Sequence, residues 1–195
     1  AEDSLHIVNI QGTIGASAQI GRTKGLQDAV ATYGWNLLAE VPGEFTQAKG
    51  KEVMSTLLKQ YDDINVVYCE NDNEAFGAIE AIEDAGYHVG SDIAAGDIMV
   101  MSFDGVNKEV LSYLLQDMIS YVGECNPNQG PKVKNLIQTL EAGKTSDKYS
   151  YMEEHAFAHD ATVPSVEVDG QRYPVTVMTK DKLKAVSYTH LRAHE

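Results

Sequence analysis

Short apolar runs alternate with longer amphipathic stretches through the first 123 residues, the pattern of a parallel sheet with helices on its faces. Leu5 to Ile10 predicts a strand. Ser17 predicts the cap of a helix to Tyr33, with Ile20, Leu26, Ala29 and Val30 as its buried stripe and Gly34 as its stop. Asn36 to Val41 predicts a second strand. A helix from Thr46 to about Lys59 follows, turning Val53, Met54, Leu57 and Leu58 inward. Ile64 to Tyr68 is β-branched and strand-like, Asn73 to Ala85 helical, and Ile98 to Phe103 a fourth strand. Lys108 to Leu115 predicts a helix and Ile119 to Val122 a fifth strand.

The rhythm changes after Gly123. Glu124-Cys125-Asn126-Pro127-Asn128 predicts a crossing segment, and Gly130 to Ala142 one helix that Gly143 ends. Ser150 to Thr179 predicts extended segments with a hairpin turn at Asp169-Gly170. One helix and a hairpin cannot bury a core of their own, so this part must dock either on the first 123 residues or on chain that is absent. The expected organisation is a complete α/β lobe over residues 1–123 and a crossover with pieces of a second lobe over 124–180. Residues 181–195 are set apart as a non-native tail: from Val186 they fit neither period and are similar to translated sequencing-adapter read-through.

Composition narrows the function. The net charge of −14 disfavours nucleic acid and anionic membrane surfaces, which need a cationic face. A 43% hydrophobic and 23% charged chain is expected to fold without metal or disulfide staples. Cys69 and Cys125 are too far apart for a Cys-x-x-Cys motif, and one structural disulfide stays open. No apolar run approaches the roughly 20 residues of a membrane helix. The chain opens on Ala1 and shows no signal peptide, so a fragment or processed chain is expected.

In an open parallel sheet, ligands bind beyond the carboxyl ends of the strands. Those ends carry Gln11-Gly12-Thr13 with Arg22 one turn into the helix, then Gly43-Glu44-Phe45, Glu70-Asn71-Asp72 and Asp104-Gly105. A guanidinium, an aromatic ring, a carboxamide and a carboxylate suit a neutral polyhydroxylated ligand. The plainer alternative is that Asn71 and Asp72 cap a helix while Asp104-Gly105 turns the chain. Gly12-x-x-Gly15 lacks both the dinucleotide spacing and the Gly-Lys-Ser/Thr of a P-loop, so a tight turn that lets backbone approach a neighbour is the better reading. His155 and His159 would share a helical face as metal ligands but stand too far apart on a strand, and no metal site is expected. No catalytic constellation is legible.

Taken in order, Gln11-Gly12-Thr13-Ile14-Gly15-Ala16-Ser17 through Arg22-Thr23-Lys24-Gly25, Gly43-Glu44-Phe45-Thr46-Gln47-Ala48-Lys49-Gly50, Glu70-Asn71-Asp72, Ser102-Phe103-Asp104-Gly105 and Glu124-Cys125-Asn126-Pro127 resemble the type I periplasmic sugar-binding proteins. The galactofuranose-binding branch is nearest and ribose-binding proteins next, over about residues 5–180. The resemblance implies a two-lobed, non-enzymatic, monomeric receptor without cofactor. It would close on a monosaccharide (galactofuranose, galactose, ribose or similar) and deliver it to ABC permease subunits, working in the periplasm or as a membrane-anchored lipoprotein. It implies Arg22, Asn71 and Asp104 as polar sugar ligands and Phe45 as an aromatic wall. Ribose-binding proteins place a Gln ligand where this chain has Cys125, so Glu124 or Asn126 is expected to substitute. The rival readings are the effector domain of a LacI-type regulator, decided by upstream sequence, and a nucleotide-dependent enzyme resting on the glycine turn.

Overall fold

The computed structural model describes residues 5–105, 108–168 and 170–184. Strand β1 (His6–Gln11) leads into α1 (Ser17–Tyr33), β2 (Asn36–Pro42), α2 (Gln47–Gln60), β3 (Val66–Cys69), α3 (Asp72–Asp84), β4 (Met99–Asp104), α4 (Lys108–Leu115) and β5 (Tyr121–Glu124). Then come α5 (Gly130–Glu141), β6 (Ala156–Ala158), β7 (Ser165–Val168) and β8 (Gln171–Val177). The strands join in the order β2-β1-β3-β4-β5-β6-β8-β7. The first five are parallel; β6 runs antiparallel to β5 and parallel to β8, and β7 is antiparallel to β8. Among the described residues no helix is long and apolar enough to cross a membrane.

Successive strand residues point to opposite faces, so the central strands bury both. One face carries Val8, Ile10, Val67, Val100 and Val122 against α2, α3 and α4; the other carries Ile7, Val66 and Tyr68 against Leu26 of α1. Helices α2 and α3 nearly touch through two glycines. A Cβ on Gly77 would lie 2.1 Å from the Gln47 carbonyl oxygen, and one on Gly50 would lie 2.9 Å from Glu74 Cα.

Three expectations change. Helix α1 is capped from Ala16 without a side-chain bond, and Ile20 points to solvent while Gln19, Thr23 and Leu26 are buried. The buried stripe is partly polar because Gln19 and Thr23 face a buried carboxylate described below. The strands after the crossover were expected to belong to a second lobe. Instead β6 pairs with β5, Val122 opposite Phe157, so these strands extend the first sheet. The early strand starts also move: β3 begins at Val66 and β5 at Tyr121. Helix α5 buries no residue and exposes Val133, Leu136, Ile137 and Leu140 on one stripe. The β7–β8 hairpin closes where Val168 pairs with Gln171; Asp169 of its expected turn, and the tail from Val186, lie outside the described residues.

Candidate functional site

At the carboxyl ends of β1, β3 and β4 the chain builds a polar edge around Glu70, which is fully buried. Its Oε1 accepts from Asn9 Nδ2 at 3.2 Å and from the Thr23 hydroxyl, and its Oε2 accepts from the Gly12 N–H at 2.9 Å. Gln11 and Gln19 both donate to Thr23 Oγ1 and close the network. A buried carboxylate satisfied in this way fixes the β1–α1 turn. It also consumes the Gly12 N–H, while the Gly15 N–H donates to Gln19 Oε1 at 3.0 Å. The two glycine amides that a phosphate would require are therefore already engaged. Glu70 was legible only as a neighbour of Asn71; the signal for its role is an acid ending the buried run Val66-Val67-Tyr68-Cys69.

Arg22 and Asp104, 82 residues apart, meet at this edge. Arg22 Nη2 donates to Asp104 Oδ1 at 2.8 Å, and Nη1 donates to the Glu70 carbonyl oxygen. The guanidinium lies 5.2 Å from the centroid of the Phe103 ring. Its planar fork is thus set by three groups before any ligand arrives. The Arg22 side chain is 11% exposed and Asp104 33%, so both still reach the open edge. Asp104 takes a left-handed φ of 99°, a conformation costly for a non-glycine residue and one that aims its carboxylate out of the strand. The Cys125 backbone N–H donates to the Asp104 carbonyl at 2.8 Å, which brings its thiol near Arg22. Burial and Glu154 raise the Cys125 thiol's pKa despite Arg22. Cys125 and the buried Cys69 are both free thiols.

The second group is Phe45 and Asn71. Glu44 and Phe45 both sit at φ 59°, and the resulting tight loop lays the Phe45 ring on Gly12, where a Cβ would come within 1.9 Å of the ring. Only glycine admits that approach. Asn71 is buried; its Oδ1 accepts the Glu74 N–H at 2.9 Å as the cap of α3, and its Nδ2 donates to the Phe45 carbonyl at 3.2 Å. The helix-cap alternative therefore holds for Asn71, which among the described residues retains one amide hydrogen for other use. Asp72, for which the plainer alternative was a helix cap, accepts from the Ser102 hydroxyl at 2.6 Å and the Gly105 N–H at 3.1 Å, tying α3 to the β4 turn. Burial pushes Asp72 up to about 7 and Glu74 up to about 8, outweighing the hydrogen bonds that favour their ionised forms.

Glu124 and Asn126 lie beside this edge, with Glu124 opposite Asp104 in the β4–β5 ladder. Both side chains turn to the returning chain. Glu124 Oε2 accepts from the His155 N–H at 2.9 Å and lies 2.6 Å from His155 Nδ1. Asn126 Nδ2 donates to the Glu153 carbonyl at 3.2 Å, and its Oδ1 accepts from the Asn128 N–H. Their observed task is to fix the crossover against β6. His159 bonds the Leu114 carbonyl, so the two histidines diverge, and no metal-ligand group occurs among the described residues.

Four acids, the raised Asp72 and Glu74 with Glu70 and Asp104, stand around one guanidinium. Such an edge repels anions and offers a neutral polyol a preset donor fork, a free carboxylate oxygen and an aromatic face.

Comparison with known proteins fits this geometry. A model of the periplasmic binding protein domain matches residues 2–144. The chain is 37% identical over 152 residues to the ribose import binding protein of Salmonella typhimurium, covering 76% of this chain and 48% of that protein. It is 31% identical over 167 residues to the galactofuranose-binding protein of Escherichia coli, covering 83% and 51%. The chain thus spans about half the length of these curated relatives. A crystal structure of a galactofuranose binding protein superposes with a TM-score of 0.77 at 26% identity, covering 97% of this chain and 58% of that one. In sequence and in fold, the chain belongs to the periplasmic binding protein domain family.

Proposed function

We propose that this chain forms part of the solute-binding component of an ABC-type sugar importer, and that its polar edge contributes one side of a monosaccharide site. The observation carrying this reading is the Arg22–Asp104 pair, held by the Glu70 carbonyl and Phe103 beside an aromatic ring seated on Gly12. Arg22 donates to sugar hydroxyls, Asp104 accepts from them, and Phe45 covers a C–H face. Asn71 contributes its remaining amide hydrogen, while Glu124 and Asn126 shape the crossover rim. Names and sequence similarity of the ribose and galactofuranose relatives support a monosaccharide of that size.

The protein acts by binding and release, without catalysis or a cofactor, as a monomer that presents its ligand to permease subunits. Its place is the periplasm, or outside the cell as a lipoprotein anchored to the membrane. Strands β1–β5 with their helices, together with β6–β8, form one lobe. The exposed stripe of α5 packs on a second, and closure of the two excludes water and strengthens each polar contact. Calorimetry with ribose, galactose and arabinose on the longer genomic protein tests the reading: a 1:1 exotherm abolished by Arg22→Ala and Asp104→Ala is expected, and no heat with any sugar refutes it.

A further inference from the structure

Glu74 is fully buried, yet it is neither part of an ion pair nor one of the groups proposed to touch sugar. It stands at the third residue of α3, where a glutamate ordinarily reaches back to its own helix cap. The Asn71 N–H does face the carboxyl. The hydrogen bond of normal geometry goes elsewhere, from the Phe45 N–H to Glu74 Oε1 at 2.8 Å. The contact is close on every side: a Cβ on Gly43 would lie 2.8 Å from Glu74 Oε1, and Gly50 packs against the Glu74 backbone. The Phe45 amide belongs to a loop with two consecutive left-handed non-glycine residues, a conformation that persists only when its surroundings hold it. The Gly43 and Glu44 N–H groups donate to the Gln11 carbonyl and the Thr46 N–H to the Gly43 carbonyl, while Phe45 itself is held by two side chains, the Asn71 amide on its carbonyl and the Glu74 carboxyl on its N–H.

We propose that Glu74 is a positioning residue that pins the Phe45 backbone so that its ring rests on Gly12, and thereby sets the aromatic wall of the sugar site. The proposal rests on the sugar-binding reading for its function but not for its geometry. The groups facing Glu74 are Glu70 at the end of β3, which disfavours its ionisation, and Arg22 from α1, which favours it; burial dominates. Glutamine at this position keeps the acceptor and removes the titration.

The test is NMR on this chain. Because the ring covers Gly12, the Gly12 Hα protons carry an upfield ring-current shift, and the Phe45 amide reports its hydrogen bond directly. The expected result is a Phe45 amide that titrates with a midpoint of about 8 in the wild type. Glu74→Gln should keep the Gly12 shift without titration. Glu74→Ala should lose the shift while Trp35, on the opposite sheet face, is unmoved. A Gly12 shift retained in Glu74→Ala, or a Phe45 amide shift that is the same in wild type and Glu74→Ala, overturns the proposal; if Glu74→Ala unfolds, Glu74→Leu, which keeps volume but has no acceptor, decides by the same two shifts. In the longer genomic protein, Glu74→Ala should weaken sugar binding by about tenfold and Glu74→Gln should restore it. If no variant, wild type included, binds sugar, the functional reading fails while the Gly12 shift still judges the positioning role.

Discussion

Two buried acids make the stability of this lobe depend on pH in an uncommon direction. Asp72 is 4% exposed and Glu74 fully buried, and their values of about 7 and about 8 stand far above the ordinary 3.8 and 4.5 of these side chains. A carboxyl that binds its proton more tightly when folded stabilises the fold below its unfolded value, and that contribution is lost as pH rises through the folded one. Each group loses at most ~1.4 kcal/mol per pH unit inside its window. Integrated from pH 5 to pH 7, this amounts to about 2 kcal/mol for each. Urea unfolding across that range measures it. Wild-type stability should fall as pH rises, and Asp72→Asn should remove roughly half of the slope. Asparagine satisfies the same partners, its Oδ1 accepting from the Gly105 N–H and its amide donating to Ser102 Oγ. Stability that is flat between pH 5 and pH 7, or a slope unchanged in Asp72→Asn, refutes the reasoning.

Gly12→Ala forces the Phe45 ring to move by well over 1 Å from its 1.9 Å approach, so a loss of ~1–3 kcal/mol and of the Gly12 ring-current shift is expected by thermal unfolding and NMR. Gly77→Val drives α2 from α3 at the Gln47 carbonyl and should cost ~3 kcal/mol or more, read by the same urea titration. Leu136→Lys on the exposed face of α5 should change the stability of this chain by less than ~0.5 kcal/mol; a larger loss shows that the helix packs on the lobe.

The parallel half of the fold was legible because each of its elements carries a local period, and each successive unit returns to a neighbouring strand. The Gly12 turn was legible as a close approach, although which group approached it was not, since Phe45 is 33 residues on. The seat of strand β6 was not legible, for a physical reason. Ala156-Phe157-Ala158 is too short to show a face, and its antiparallel seat on β5 is set by tertiary pairing across α5. The stripe of α1 failed where polar residues serve a buried acid, because hydrophobic period scores Gln19 and Thr23 as solvent-facing. At the site, residue types at strand ends singled out Arg22, Phe45, Asn71 and Asp104, which the structure gathers at the carboxyl end of the sheet in two linked pairs. The supporting roles of Glu70 and Glu74 depend on contacts 29 to 61 residues away, which no local pattern reports.

Binding of a neutral sugar at the Arg22–Asp104 edge is most directly tested by amide NMR of this chain titrated with ribose, galactose and arabinose into the millimolar range. If this edge is one side of the proposed two-lobed site, the affinity should be weak, with a Kd in the millimolar range or above, about 4 kcal/mol of binding free energy or less. The account predicts shift changes confined to Gly12, Phe45, Asn71 and Gly105 for at least one sugar, and their loss in Asp104→Asn. Shift changes elsewhere on the lobe, or none with any sugar, would contradict it.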